Sequence, residues 1–364
     1  MEFSLENLVR DNIKKMRPYS SARHEFSGNA SIFLDANENS FGSPLSLLLQ
    51  EKGFGDEVVA RFNRYPDPLQ TQVKEKLSKI KGVPPQNIFL GNGSDEAIDL
   101  LIRIFCEPDR DNILIFPPTY GMYEVCAEMN DVKVKKVSLT KEFGLDITAI
   151  ENNIDAFTKL IFICSPNNPT GNSMNRTDIE IILNNFNGIV VIDEAYINYA
   201  RQKTFISGLT EYPNLVVMQT LSKAWGLAGL RLGMAFASAP VIELLNKVKY
   251  PYNINTATQQ LALDALENVD WVNNHIAVAI DEREKLAAGL LQLPFTKKVY
   301  PSDANFLLVK MKEASPVWSK LVEDGIIVRD RSKIILCDDC LRITVGTPNE
   351  NRLLIQSLSK ITDI

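Results

Sequence analysis

Leu215-Val216-Val217-Met218-Gln219-Thr220-Leu221-Ser222-Lys223-Ala224-Trp225-Gly226-Leu227-Ala228-Gly229-Leu230-Arg231-Leu232-Gly233 carries an apolar run directly into a lysine. Leu215 to Met218 is uninterrupted by polar residues, the pattern of a buried strand. Lys223 is preceded by two hydroxyl residues, followed by three glycines, and has Arg231 eight positions on. An amine just past a core strand is costly to bury unless it is neutral or hydrogen-bonded. A free lysine, with a pKa near ~10.4, leaves fewer than roughly one molecule in a thousand nucleophilic at neutral pH. Desolvation or a neighbouring cation raises that fraction and suits the amine to Schiff-base chemistry. The other reading of this window is a surface lysine beside a glycine-rich turn.

Upstream, similar apolar runs recur at Ile88-Phe89-Leu90, Ile113-Leu114-Ile115-Phe116, Leu160-Ile161-Phe162-Ile163 and Ile189-Val190-Val191-Ile192. Helix-compatible stretches separate several of them, as at Asp95 to Phe105 and Thr177 to Phe186. That alternation predicts an α/β fold with a mostly parallel central sheet flanked by helices. Residues 31–245 are read as this large domain. Residues 1–30 read as an arm, with Leu5, Leu8, Val9, Ile13 and Met16 at near-helical spacing before Pro18. Ile32-Phe33-Leu34 predicts a short strand, and Leu69 to Ile80 an amphipathic helix after the Pro66/Pro68 turn. Residues 246–364 are read as a smaller α+β domain. Its helical stretches, Ala239 to Tyr250 at the junction and Thr256 to Leu290, lead to strands near Asn305 to Val309, Ile326 to Arg329 and Leu341 to Val345.

Composition excludes several classes. The 364 residues are 45% hydrophobic and carry a net charge of −6, which disfavours general binding to nucleic acid or an anionic membrane. The first residues lack the basic and apolar regions of a signal peptide, and no apolar run approaches the roughly 18 residues of a membrane span. Five scattered cysteines predict reduced thiols and a cytoplasmic setting. The pair Cys337/Cys340 stands alone, with only two histidines in the chain, so no metal site is expected.

In parallel sheets ligands gather at the carboxyl ends of strands, so the residues after each run carry the information. The first run is followed by Gly91-Asn92-Gly93-Ser94-Asp95-Glu96, a tight turn into a helix whose free N–H groups suit an anion. Ser94 or Asp95 would cap that helix. Glu96 stands where a dinucleotide fingerprint wants Gly or Ala. The second run leads to Tyr120, the third to Asn167-Asn168, the fourth to Asp193-Glu194-Ala195-Tyr196 and the fifth to Lys223. A carboxylate leaving a buried strand, as at Asp193, calls for a partner of opposite charge. Taken singly, each is compatible with a turn. Together an anion nest, an aromatic, an amide, a carboxylate and a lysine describe a pocket for a flat, charged, carbonyl-bearing cofactor with a phosphate and a basic ring nitrogen. Pyridoxal 5'-phosphate has those features.

The ordered motifs Asn37-Glu38-Asn39, Arg64-Tyr65-Pro66, Gly91 to Glu96, Pro117-Pro118-Thr119-Tyr120, Ser165 to Gly171, Asp193 to Tyr196, Ser222-Lys223 and Gly229 to Gly233 resemble the fold-type I aminotransferases. Within them the chain is most similar to the histidinol-phosphate aminotransferases, a likeness running from Arg17-Pro18-Tyr19 to Leu341-Arg342-Ile343-Thr344-Val345-Gly346. Ser40 departs from a common proline, and Trp225 from the usual Phe.

The resemblance implies that Lys223 holds the cofactor covalently and later moves the α-proton. It implies that Asp193 bonds the ring nitrogen, Asn168 and Tyr196 the ring oxygen, and that Tyr120 stacks on the ring. Ser94, Asp95 and Glu96, with Ser222 and Arg231, would surround the cofactor phosphate, and Tyr65 would reach it from the other subunit of a homodimer with shared active sites. Arg329 and Arg342, otherwise ordinary salt-bridge residues, would face the substrate phosphate, with Tyr19 and Asn37 bordering the substrate. The implied reaction passes an amino group from L-histidinol phosphate to 2-oxoglutarate, giving imidazole acetol phosphate and L-glutamate, a step of histidine biosynthesis. Aromatic-amino-acid aminotransferases and phosphothreonine decarboxylases share the cofactor residues and stand as alternatives. A cofactor-sensing regulator would need a DNA-binding module for which the arm is too short.

Overall fold

The computed structural model describes residues 3–18, 36–37 and 62–361. Among those residues, a seven-stranded sheet comprises β1 (Ile88–Asn92), β2 (Asn112–Ile115), β3 (Lys133–Lys136), β4 (Thr158–Cys164), β5 (Ile189–Asp193), β6 (Leu215–Thr220) and β7 (Leu232–Ala237). Their spatial order is β1-β7-β6-β5-β4-β2-β3. β7 pairs antiparallel with both β1 and β6, and every other neighbouring pair is parallel. The carboxyl ends of β1, β2, β4, β5 and β6 therefore share one edge. Cys164 pairs with Asp193 and Asp193 with Met218, so the residues after these strands emerge at one level. All of β5 and β6 is buried, which is why their sequences are apolar without alternation.

The five apolar runs coincide with β1, β2, β4, β5 and β6. β3 and β7 had no such signal. β3 is Lys133-Val134-Lys135-Lys136, a partly exposed edge strand whose lysines discourage further pairing. β7 is buried throughout, and its Gly233 lies between Gly91 and Thr220. The helices Ser94–Phe105 and Arg176–Asn185 match their expected stretches to within a residue. The helix expected from Leu69 begins at Thr71 and ends at Lys81.

The arm forms two short helices, Leu5–Leu8 and Asp11–Lys15, rather than one. The break falls where the Arg10 N–H bonds the Ile104 carbonyl (3.0 Å), a tertiary contact replacing a helical one. Val9 and Ile13 are buried against the helix Ser94–Phe105. The strand expected at Ile32-Phe33-Leu34 lies outside the described residues.

A second, antiparallel sheet is built from β8 (Thr296–Val299), β9 (Phe306–Met311), β10 (Arg329–Asp330) and β11 (Cys340–Thr344), in the order β10-β11-β9-β8. The junction expected between residues 245 and 246 falls inside the helix Ala239–Val248, which packs on the seven-stranded sheet. The stretch expected to be helical from Thr256 divides into Thr256–Leu266 and Val269–Leu291. One apolar core joins the two sheets, with Ile192 and Val217 in the same cluster as Phe306, Leu308, Cys337 and Cys340. Those two thiols are thus packing groups, held up to about 11 and about 12 chiefly by burial. Among the described residues, no cluster of metal-ligating side chains occurs and no helix is long and apolar enough to cross a membrane.

Candidate active site

At the carboxyl edge of the large sheet, facing β10 and β11, lies a cavity of about 650 Å³. After β1 the chain turns at Gly93 (φ +80°), and its N–H donates to the Arg231 carbonyl oxygen at 2.6 Å. Gly93 itself is the N-cap of the helix Ser94–Phe105, which no side chain caps. The expected Ser94 or Asp95 cap is therefore absent, because positive φ at the turn demands glycine there and places Ser94 inside the helix. The arrangement is close. A Cβ at Gly233 would lie 2.2 Å from the Ser94 nitrogen, and one at Gly93 would lie 2.7 Å from the Arg231 guanidinium. The helix N-terminus is consequently pressed onto β7, its amide donors uncapped and grouped with Ser94, Ser222 and Arg231 on the cavity wall.

Asp95 uses its carboxylate within this group. It accepts from the Tyr120 hydroxyl at 3.1 Å and lies 3.6 Å from the Arg231 guanidinium. Its anionic side chain thus orients an aromatic and a cation, while its backbone N–H belongs to the helix N-terminus. Glu96 does not line the cavity. Its carboxylate accepts from the Asn92 N–H and from Asn253 Nδ2 at 3.1 Å, fastening the turn.

Asp193, at the end of β5, is buried and lines the cavity floor. Within the chain, two neutral groups donate to it. Tyr123 donates its hydroxyl at 2.7 Å and the Ala195 N–H donates at 3.1 Å. Burial raises the carboxyl's pKa, opposed first by the bond from Tyr123. What remains is a carboxylate with two neutral donors and an unbalanced charge. Glu194, its neighbour in sequence, faces the other way and is absorbed by Thr204, Gln219 and the Phe205 N–H. Tyr123 carried no role in the sequence reading. It lies in the first turn of the helix Met122–Met129, three residues beyond Tyr120, and stacks on Phe162 with ring centres 4.9 Å apart.

After β4 the two amides divide their work. Asn167 is fully buried and ties the loop together through the Pro118 carbonyl and Thr170. Asn168 faces the cavity, and its Oδ1 accepts from Arg342 Nη1 at 2.5 Å. Tyr196 is buried edge-on to Phe306, with ring centres 5.1 Å apart, and burial pushes its hydroxyl's pKa up. Lys223 reaches over the Tyr196 ring, its Nζ 5.5 Å from the centre. Its side chain stays open to the cavity, yet surrounding protein lowers the amine's pKa. Desolvation is the largest cause, Arg342 the next, and Asp193 opposes them. A lowered pKa leaves more neutral amine at a given pH, the property a nucleophilic lysine needs.

These residues fit pyridoxal phosphate on the chemistry of their donors. The uncapped helix N-terminus suits a phosphate, the buried Asp193 suits a protonated ring nitrogen, and Lys223 suits a carbonyl. Tyr120 offers a ring face at the cavity wall.

Arg329 and Arg342 pair directly across β10 and β11, and both line the cavity. Like charges placed opposite on a ladder repel. Neither makes an ion pair with a described carboxylate. A third guanidinium, Arg331, reaches the same cavity and was missed in the sequence, where Arg-x-Arg at strand spacing was the available signal. Two of the residues expected at the substrate are not brought here within one chain. Tyr65 stacks on Tyr252 (ring centres 4.4 Å apart) at a separate depression. Asn37 is exposed and does not line the cavity. Tyr19 lies outside the described residues.

Residues 31–358 match the model of the aminotransferase class I and II family. A histidinol-phosphate aminotransferase of Cytophaga hutchinsonii is 53% identical over 98% of this chain and 99% of its own length. Among solved structures, the histidinol-phosphate aminotransferase of Clostridium acetobutylicum superposes with a TM-score of 0.77 at 24% identity, covering 89% of this chain and 97% of that one. The Sinorhizobium meliloti enzyme, solved in complex with pyridoxal-5'-phosphate, gives 0.75 at 22% identity over 89% of each chain. At those identities the two structures establish the fold.

Proposed function

The chain belongs to the aminotransferase class I and II family, and from that premise we propose that it transfers the amino group of L-histidinol phosphate to 2-oxoglutarate. The products are imidazole acetol phosphate and L-glutamate, and the pathway is histidine biosynthesis. The observation that carries the substrate choice is the pair Arg329 and Arg342, facing each other at the cavity with no carboxylate of the described chain to neutralise them. Guanidinium forks match phosphate oxygens, and histidinol phosphate has a phosphate and no carboxylate.

Pyridoxal phosphate, when bound, supplies an electron sink that acidifies the carbon–hydrogen bond of the substrate amine. The protein does the rest. Lys223 would hold the cofactor covalently and, once displaced, move the proton at the substrate carbon. Asp193 would bond the ring nitrogen, and a ring N–H there would favour its ionised form in a site where burial otherwise favours the neutral acid. Ser94, Ser222, Arg231 and the helix N-terminus would hold the cofactor phosphate. Charged hydrogen bonds contribute about 1.5–3 kcal/mol each, so several keep it in place through turnover. Asn168 and Tyr196 would bond the ring oxygen, and the bond from Arg342 fixes the Asn168 amide for that role. The test is a product assay with purified holoenzyme. Histidinol phosphate plus 2-oxoglutarate should yield glutamate and ketone in equal amounts, and phosphothreonine should release no carbon dioxide. Carbon dioxide from phosphothreonine without glutamate formation would assign the decarboxylase reaction instead.

The working form is a homodimer with shared sites. Tyr65 is 52% exposed and stands outside its own chain's cavity, as a residue serving a neighbouring subunit would. Inactive Tyr65→Ala and Lys223→Ala subunits, mixed under exchange, should regain activity, because one site per hybrid holds both native residues. No recovery after verified exchange, with Tyr65→Ala severely impaired by itself, would contradict sharing. All five cysteines are unpaired, which agrees with a reducing cytoplasm as its compartment.

A further inference from the structure

Beyond β10 the ladder continues for one more bond, from the Arg331 N–H to the Cys340 carbonyl (2.9 Å), so Arg331 lies two residues on from Arg329 along an extended segment. Alternate residues of a strand share a face, and both arginines line the cavity together with Arg342. Among the described residues, none of the three guanidiniums has a carboxylate partner. Asp330, the acid between them in sequence, accepts from the Ser332 N–H at 2.8 Å. The Arg331 Nε is buried with no hydrogen-bond partner, and the adjacent Ser332 hydroxyl is buried and unpartnered as well. Mutual repulsion from Arg342 and Arg329 adds to desolvation in lowering the Arg331 pKa.

A buried unpaired donor is destabilising, more so in a charged group, unless a ligand completes it. Three unneutralised guanidiniums form an anion site with more charge and more donors than one carboxylate can use. A phosphate ester carries close to two negative charges near neutral pH and three acceptor oxygens. A carboxylate brings one charge and two oxygens. On the histidinol-phosphate reading, the same cavity must accept both, one in each half-reaction. We propose that Arg331 is a specificity-determining residue, the third guanidinium of the substrate-anion subsite, and that it selects the phosphate dianion over the distal carboxylate of glutamate.

The experiment uses holoenzyme, native, Arg331→Gln and Arg331→Lys, with each half-reaction followed through cofactor absorbance. In Arg331→Gln the efficiency with histidinol phosphate should fall about tenfold or more further than that with glutamate, while Arg331→Lys, keeping charge without the fork, falls between. Inorganic phosphate is the second probe. As a competitor of the glutamate half-reaction it should bind Arg331→Gln about tenfold or more weaker than native. Equal losses for both substrates with unchanged phosphate inhibition would overturn the proposal and make Arg331 a fold residue. Should Arg331→Gln fail to fold, the same two comparisons on Arg331→Lys decide, a twofold or smaller difference overturning it. A native enzyme inert toward histidinol phosphate would sink the functional reading alone. Weaker phosphate inhibition in the variants would still uphold Arg331 as an anion residue, and unchanged inhibition would remove it.

Discussion

Lys223→Ala is expected to retain pyridoxal phosphate but lose at least about a thousandfold in turnover. Among the described residues, Lys223 is the one lysine on the cavity wall. It is also the group whose amine is depressed by desolvation and by Arg342, toward the neutral form that bonds a carbonyl. On the proposed reading its removal deletes both the covalent attachment and the general acid–base, and the second alone contributes 10²–10⁴-fold in typical enzymes. The helix N-terminus, Ser222 and Arg231 are untouched, and several charged hydrogen bonds at about 1.5–3 kcal/mol each still hold a phosphate. Turnover is read from glutamate formation, and retention from cofactor absorbance after gel filtration. Borohydride reduction of native enzyme should fix the cofactor to the peptide containing Lys223. Label on another lysine, or turnover within tenfold of native in Lys223→Ala, would remove Lys223 from its role.

The central sheet was legible because burial on both faces of β4, β5 and β6 leaves four-residue apolar runs that few other elements produce. Their ends were legible for the same reason, since a polar residue following such a run marks the sheet edge. Asp193, Asn168, Tyr196, Lys223 and Arg231 all come to one cavity as that rule implies. What was hidden depends on non-local contact. The reversal of β7 follows from pairing with β1, more than 130 residues earlier, and from the Gly233 backbone meeting Ser94. Glu96 looked like a member of the anion loop by adjacency. Asn253, from a segment 157 residues away, draws it aside. Asp193 also takes a hydroxyl bond from Tyr123, which sits on a helix that reads as ordinary core. Arg331 was hidden because the apolar run before it ends at Val328, while the strand pairing itself starts at Arg329.

The second large effect concerns Arg329. It lines the cavity opposite Arg342, and on the proposed reading Ala at this position removes one guanidinium from the substrate's phosphate without touching the cofactor cradle. One to two charged hydrogen bonds lost, at about 1.5–3 kcal/mol each, correspond to tenfold or more in efficiency. Because the phosphate is remote from the reacting carbon, part of that loss should appear in kcat as well as in KM. Substrates lacking the phosphate should scarcely register the change. The decisive measurement is therefore kcat/KM for histidinol phosphate, histidinol and phenylalanine in native and Arg329→Ala enzyme. Native enzyme should prefer histidinol phosphate over both others by about a hundredfold, and Arg329→Ala should erase most of that preference by losing histidinol phosphate alone. Native enzyme that turns over phenylalanine as efficiently as histidinol phosphate would contradict this and make the protein an aromatic-amino-acid aminotransferase.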